Sequence, residues 1–346
     1  MKGDRPLPVQ EMLEGILSLQ RKLRDHIHRQ LLRQSGYGSA MVAFEAPSDT
    51  IYTIDRQCEE VLLPELESLS KKVSFVLIAE GISDDRPIPF PEGRDPSDCL
   101  YRIILDPIDG TRMLMYDKRS AWSLAGVAVN RGESTSLEDI CMAAMTEIPV
   151  SKQTIGDVVW ACQGEGCHGW RENLLDGSRH AWNPSPSRAE NLDHGFAQVT
   201  KFFPGRKALV CKLEEDLLAH LGAFDKENRC LVFDDQYLST GGQIYEILAG
   251  HDRFQADLRA SMRALDDPES APPGMACHPY DICTALLARE AGIIVTDIHN
   301  QPLNAPLDTT TELDWIAYAN PALQARMAPV LSELLLRYGL SRRTIQ

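Results

Sequence analysis

The segment Asp106-Pro107-Ile108-Asp109-Gly110-Thr111 compresses two carboxylates, a proline-fixed turn and a glycine into six residues, directly after the apolar run Tyr101 to Leu105. That run reads as a strand, so the acidic pair stands at a strand end. Hard divalent cations take such oxygen donors, and magnesium in particular wants a near-octahedral oxygen shell in which it keeps several waters. The side chains of Asp106 and Asp109, with the carbonyl of Ile108, can converge on one or two such ions. Gly110 lets the backbone come close to a ligand, and the amides that follow can face an anion where a helix starts. Asp-Pro and Asp-Gly are also ordinary turn dipeptides, so a plain turn accounts for the segment equally well.

Three other features bear on that choice. Val73 to Ala79 (V-S-F-V-L-I-A) reads as a second strand, and it ends at Glu80 followed by Gly81. His278-Pro279-Tyr280-Asp281 precedes an apolar helical pattern through Ile282, Ala285, Leu286 and Ala288, so Asp281 stands at a helix start, where a helix N-cap is the alternative to a ligand. The stretch Asp49 to Asp55 (D-T-I-Y-T-I-D) invites the same capping explanation.

Around these points the chain reads as a mixture of helices and strands. Val9, Met12, Ile16, Leu19, Leu23, Ile27 and Leu31 form one apolar stripe of a long amphipathic helix, with His26 and His28 expected on its solvated side. A second helix runs through Ile54, Cys58, Val61 and Leu62, with Pro64 expected to kink it or begin a new turn. Ser123 to Val129, Cys141 to Ile148 and Thr154 to Cys162 read as an antiparallel meander, and Trp182 to Ser187 as a loop. A boundary near residue 200 divides an α+β domain, 1–200, from an α/β domain, 201–346. In the latter Lys207 to Val210, Phe254 to Leu258, Ile293 to Thr296 and Trp315 to Tyr318 read as strands.

Composition narrows the function. The 346 residues include nine cysteines without a short-spaced framework, which fits reduced thiols in a cytoplasmic protein, and the loose Cys162 and Cys167 pair lacks the company a zinc site needs. Neither a basic, apolar leader nor an apolar run long enough for a membrane span occurs. A formal net charge of −15 argues against a nucleic-acid polymer as partner. The same charge would repel a phosphorylated substrate, unless divalent cations on the acidic residues reverse the local sign. No nucleophile elbow or Walker loop suggests other chemistry.

Taken jointly, these elements resemble the inositol monophosphatase family. That family carries an acidic residue closing a strand, then D-P-I-D-G-T, then a W-D-x-A-A-G-like helix start. This chain has Glu80, then Asp106 to Thr111 intact, then Tyr280-Asp281-Ile282-Cys283-Thr284-Ala285 leading to Glu290-Ala291-Gly292. Thr53-Ile54-Asp55 is similar to the family's T-x-D element, and Gly250-His251-Asp252-Arg253-Phe254 to its G-x-x-D-A-[YF] strand entry, so the likeness spans roughly residues 50 to 300. It implies a layered α-β-α-β-α sugar-phosphatase fold that combines α/β and α+β halves. It also implies hydrolysis of a small phosphomonoester, an inositol phosphate or sugar phosphate, by a metal-activated water.

Carried over by residue, the resemblance gives Glu80, Asp106 and the Ile108 carbonyl to one Mg2+ ion and Asp106, Asp109 and Asp281 to a second, with Glu80 also serving a weaker third. Asp55 and Thr111 become the catalytic pair that orients and deprotonates water, and the Gly110 and Thr111 amides receive phosphate. Arg259, before the inserted stretch Ala260 to Cys277, is a candidate for binding substrate or a surface strand-end residue. A homodimer is a further implication. The chain departs from the pattern at Gly81, where a second acidic residue is common, at Arg112-Met113-Leu114, and at Tyr280 in place of tryptophan. Two alternatives follow: a 3'(2'),5'-bisphosphate nucleotidase, and a catalytically silent relative that binds a phosphorylated ligand or a partner.

Overall fold

In the computed structural model, which describes residues 7–33, 42–45, 50–83, 86–223, 227, 229–267 and 270–341, the N-terminal stripe forms one long helix, α1 (Leu7–Arg33). Its apolar face is buried from Met12 to Leu31. His28 is buried as well, its Nε2 lying 3.1 Å from the Gln153 carbonyl, which corrects the expectation of a solvated side chain. A short antiparallel pair, β1 (Val42–Glu45) and β2 (Thr50–Tyr52), leads into α2 (Thr53–Ser70). Pro64 sits inside α2 without ending it. Leu62, Leu66 and Leu69 are buried on both sides of the proline, and this tertiary packing carries the helix through.

The first sheet follows: β3 (Phe75–Ala79), β4 (Ile88–Phe90), β5 (Tyr101–Asp109), the single turn α3 (Thr111–Met115), then β6 (Ala121–Val129), β7 (Ile140–Ile148), β8 (Ile155–Cys162), β9 (Cys167–Asn173) and β10 (Arg179–Trp182). The strand order is β10-β9-β8-β7-β6-β5-β3-β4. The expected meander is present from β5 to β10, every neighbour antiparallel, while β3 lies parallel to β5. Parallel pairing brings the C-terminal ends of β3 and β5, and thus Glu80 and Asp106, to the same sheet edge.

The chain crosses to a second sheet through residues 183–194. That half comprises β11 (Gly195–Val199), α4 (Lys207–Leu221), β12 (Val232–Phe233), α5 (Thr240–Leu248), β13 (Asp252–Asp257), α6 (Arg259–Ala264), α7 (Ala285–Glu290), β14 (Ile294–Thr296), β15 (Trp315–Tyr318) and α8 (Pro321–Arg337). Its order is β12-β11-β13-β15-β14. Lys207 to Val210 is therefore the first turn of a helix and not a strand. Val210, Leu213, Leu217 and Leu221 recur at helical spacing and are buried, so the apolar start of a longer amphipathic pattern mimicked a short strand.

Five layers result. α1 and α2 cover one face of the first sheet. Its other face packs on α5 and α7, these pack on the second sheet, and α4 and α8 close the far side. Ile104 and Leu124 of the first half share one apolar cluster with Ile244 and Leu286 of the second, so the junction between the halves is a packed core. One close approach of backbone to backbone is at Gly126 on β6: a Cβ there would meet the Cys283 carbonyl oxygen at 2.9 Å. The missing side chain lets the turn that carries Asp281 come down onto the strand beside Asp106.

α1 is tied to the sheet by Glu172 of β9, which accepts hydrogen bonds from Arg21 Nη2 at 2.6 Å and Arg24 Nη1 at 3.0 Å. Burial opposes ionisation of Glu172, but the arginine hydrogen bonds and charges prevail and hold its carboxyl at about 2. A depressed carboxyl contributes stability above the ordinary glutamate value, about 4.3, and loses it as pH falls toward the folded value. Glu172→Gln should destabilise the protein at neutral pH by about 3 kcal/mol, because buried Arg24 keeps only the half-exposed Asp25 as a charged partner and Arg21 loses its own. It should also flatten the acid limb of the stability profile. A denaturant series against pH measures both, and an unchanged acid limb contradicts the assignment.

Candidate metal centre

The ladder between β5 and β6 is irregular where the acidic segment begins. Asp106 lies opposite Leu124 and Asp109 opposite Trp122, so three steps on one strand face two on the other. In a regular strand residues three apart point to opposite faces. The extra residue is a bulge that returns Asp109 to the side of Asp106, and Pro107, with no N–H to offer a ladder, fits the interruption. The Ile108 N–H turns inward and donates to Asp106 Oδ1 at 3.0 Å.

Asp281 arrives from the second half of the chain. Helix α7 begins only at Ala285, so Asp281 is not an N-cap but part of the preceding turn, where its carboxylate accepts the His278 N–H at 2.6 Å. Ligand oxygens of Asp106, Asp109 and Asp281 all lie within 4.8 Å of one another. Glu80, one residue beyond β3, donates its N–H to the Leu105 carbonyl at 3.2 Å and shares a side-chain hydrogen bond with Asp106.

Asp109 is gripped from the opposite side by the start of α5. Its Oδ2 accepts the Ser239 hydroxyl at 2.8 Å and the Gly241 N–H at 2.5 Å, and the Thr240 N–H also bonds to it. Ser239 in turn caps the helix, its Oγ accepting the Gly242 N–H at 2.8 Å. Sequence reasoning passed over these residues. The signal was present in Ser239-Thr240-Gly241-Gly242, a capping serine with two glycines before the apolar residues Ile244, Ile247 and Leu248.

The electrostatics are those of crowded acids. Burial, then the charges of Glu80, Asp109 and Asp281, push Asp106 well above the usual carboxylate range. Burial and the charge of Asp281 raise Asp109 to about 7, against the opposing pull of its hydrogen bonds to α5. The donors are oxygens alone, which suits magnesium or manganese and not the softer ions that seek sulfur or imidazole. A bound divalent cation would cancel the repulsion that raises both groups, so the residues present fit such an ion.

The other expected site residues fall around this cluster. Gly110 (φ 96°) opens α3, and the Thr111 hydroxyl donates to the Ile108 carbonyl at 2.8 Å. Asp55 lies in the first turn of α2, and its side chain is outside the described residues, as is Asp49. Arg259 is buried, not a surface strand-end residue: its Nε lies 2.9 Å from both Asp257 oxygens and its Nη2 2.6 Å from Oδ2. Its guanidinium sits 5.0 Å from the Phe202 ring centre and 5.4 Å from that of Phe203. All nine cysteines are thiols, and burial pushes Cys167 up to about 12, which disfavours the thiolate a zinc site requires.

No family model matches this sequence, and no curated protein matches it by sequence. Solved structures do match. The extragenic suppressor protein suhB from Bartonella henselae aligns over 92% of this chain and 98% of its own at 17% identity, with a TM-score of 0.59. Fructose-1,6-bisphosphatase from Leishmania major aligns over 96% of this chain and 95% of its own at 12% identity and a TM-score of 0.65. Inositol monophosphatase from Anabaena (Nostoc) sp. aligns over 94% and 96% at 14% identity and a TM-score of 0.55. The chain has the fold of these proteins, which is the layered fold expected from its sequence.

Raised carboxyls contribute stability that is full below their ordinary range and lost as pH rises through the folded value. The metal-free protein should therefore melt at a lower temperature at about pH 8 than at about pH 6. Saturating magnesium should remove the difference. Asp106→Asn should melt higher than the metal-free wild type at the upper pH and respond less to magnesium. Thermal melts with chelator and with magnesium decide this, and a wild type indifferent to both pH and metal contradicts it.

Proposed function

We propose that the chain is a magnesium-dependent phosphomonoester hydrolase acting on a small phosphorylated metabolite, an inositol phosphate or a sugar phosphate. The observation that carries the reading is the convergence of Asp106, Asp109 and Asp281 from two halves of the chain, with Glu80 hydrogen-bonded to Asp106. Support comes from the fold, because solved structures that share it bear the names inositol monophosphatase and fructose-1,6-bisphosphatase.

In this reading residues 1–200 supply Glu80, Asp106, the Ile108 carbonyl and Asp109, and residues 201–346 supply Asp281, as ligands for two Mg2+ ions with a weaker third at Glu80. Bound ions of this kind supply Lewis acidity, lowering the pKa of water and neutralising phosphoryl oxygens. The protein's own groups do the rest. Asp55 and Thr111 orient and deprotonate the attacking water. The Thr111 hydroxyl already donates to the Ile108 carbonyl, so toward the water it acts as an acceptor. The Gly110 and Thr111 amides receive phosphate oxygens. Arg259, committed to Asp257, contributes to the substrate side by holding the wall between β13 and Asp281.

Nine cysteines without a short-spaced framework support a reducing, cytoplasmic setting. Among the described residues no helix is long and apolar enough to cross a membrane. The homodimer implied by the family resemblance completes the proposal.

Phosphate release from a panel of inositol phosphates, sugar phosphates and 3'-phosphonucleotides, with and without magnesium, tests the function. Activity is expected to require magnesium and to fall on the order of 10²-fold or more in Asp106→Asn, the scale of a lost Lewis-acid contribution of several kcal/mol. Preference for the nucleotides would replace the substrate class. Silence across the panel would refute the enzyme.

A further inference from the structure

Trp122, the strand partner of Asp109, lines a cavity of about 340 Å3 together with Ser120, Glu147, Gln153, Tyr237, Tyr245 and other residues. Most of its polar groups are satisfied by one another. The Ser120 hydroxyl lies 2.6 Å from Glu147 Oε1 and 2.8 Å from Gln153 Oε1, Tyr245 donates to Asp157, and Arg119 bonds Glu246 at 2.7 Å and Asp235 at 3.0 Å. Such a wall is a bracing network, and its centre is Tyr237.

Tyr237 is 3% exposed, and its hydroxyl uses both of its capacities. It accepts the Trp122 indole N–H at 2.9 Å and donates to the Ser120 carbonyl at 2.9 Å. The Arg119 guanidinium stands 3.7 Å from the centre of its ring, a cation–π contact. The same ring fills the space where Gly242 would carry a Cβ, which would meet ring carbons at 2.5 to 2.7 Å. Tyr237 thus joins the first residues of β6 to the first turn of α5.

Both of those segments hold Asp109. Trp122 is its partner in the strand register, and Ser239 and Gly241 donate to its Oδ2. We propose that Tyr237 is a positioning residue for the metal centre, bracing the start of α5 against β6 so that Asp109 presents its other oxygen to the cation. The inference rests on the metal-dependent reading above and reaches further, to a side chain outside the proposed ligand set. Groups that orient metal ligands from outside commonly cost on the order of tenfold or more in affinity when removed.

The test reads magnesium affinity and not activity alone. Magnesium is titrated against melting temperature for wild type, Tyr237→Phe, Arg119→Met, Ser239→Ala and the Tyr237→Phe/Ser239→Ala double variant, each referred to its own metal-free value. Tyr237→Phe should need about tenfold more magnesium for half of the metal-induced rise. Arg119→Met should shift the same way by less, and it carries the test if Tyr237→Phe does not fold. Since both routes end at Asp109, the second substitution should add little to the first in the double variant. Lower stability with unchanged magnesium half-points, or full additivity in the double variant, overturns the proposal. A magnesium response without phosphatase activity leaves it standing while refuting the enzymatic reading, and no response in wild type refutes both.

Discussion

Three carboxylates whose oxygens lie within 4.8 Å of one another, two of them almost wholly buried, are the constraint around which the molecule is arranged. Like charges at that range in a partly desolvated setting are strongly unfavourable, and the elevation of Asp106 and Asp109 records it. A fold keeps such a cluster only where the surroundings over-determine it. Here they do: a bulge with a proline turns Asp109, a glycine in β6 admits the Asp281 turn, and the capped start of α5 grips Asp109 from the far side.

The architecture explains how residues so distant in sequence meet. β3 and β5 are parallel neighbours, so Glu80 and Asp106 leave the first sheet at the same edge. The apolar cluster shared between the halves then seats α5 and α7 on that sheet, and their leading residues meet the acidic edge. Arg259, just beyond β13, is paired with Asp257 and packed against Phe202 and Phe203. The centre is therefore a property of the junction, and neither half assembles it alone.

What the sequence made legible follows from how local each signal is. Strands built from runs of branched and apolar residues, such as Trp315 to Tyr318, appear where the pattern places them, and the hexapeptide identifies two of the three clustered acids. Lys207 to Val210 misled because four apolar-rich residues cannot separate a strand from a helix start. Pro64 lies within α2, flanked by packed leucines on both sides, and His28 is buried where it meets Gln153, neither of which is visible in a periodicity. The turn nature of Asp281 and the part of Ser239 to Gly241 were hidden for the same reason. The first is seated against Gly126 and the second grips Asp109, both contacts made across more than a hundred residues of chain.

If the acidic cluster is a divalent metal centre made by both halves of the chain, a divalent ion should bind among its three carboxylates. Anomalous diffraction from crystals grown with manganese tests it most directly, since the hard-oxygen shell suited to magnesium also accepts that ion. Strong anomalous peaks bounded by Asp106, Asp109 and Asp281 are expected, and they should be lost from crystals of Asp106→Asn. Manganese bound only elsewhere, with the three carboxylates left unligated, would contradict it.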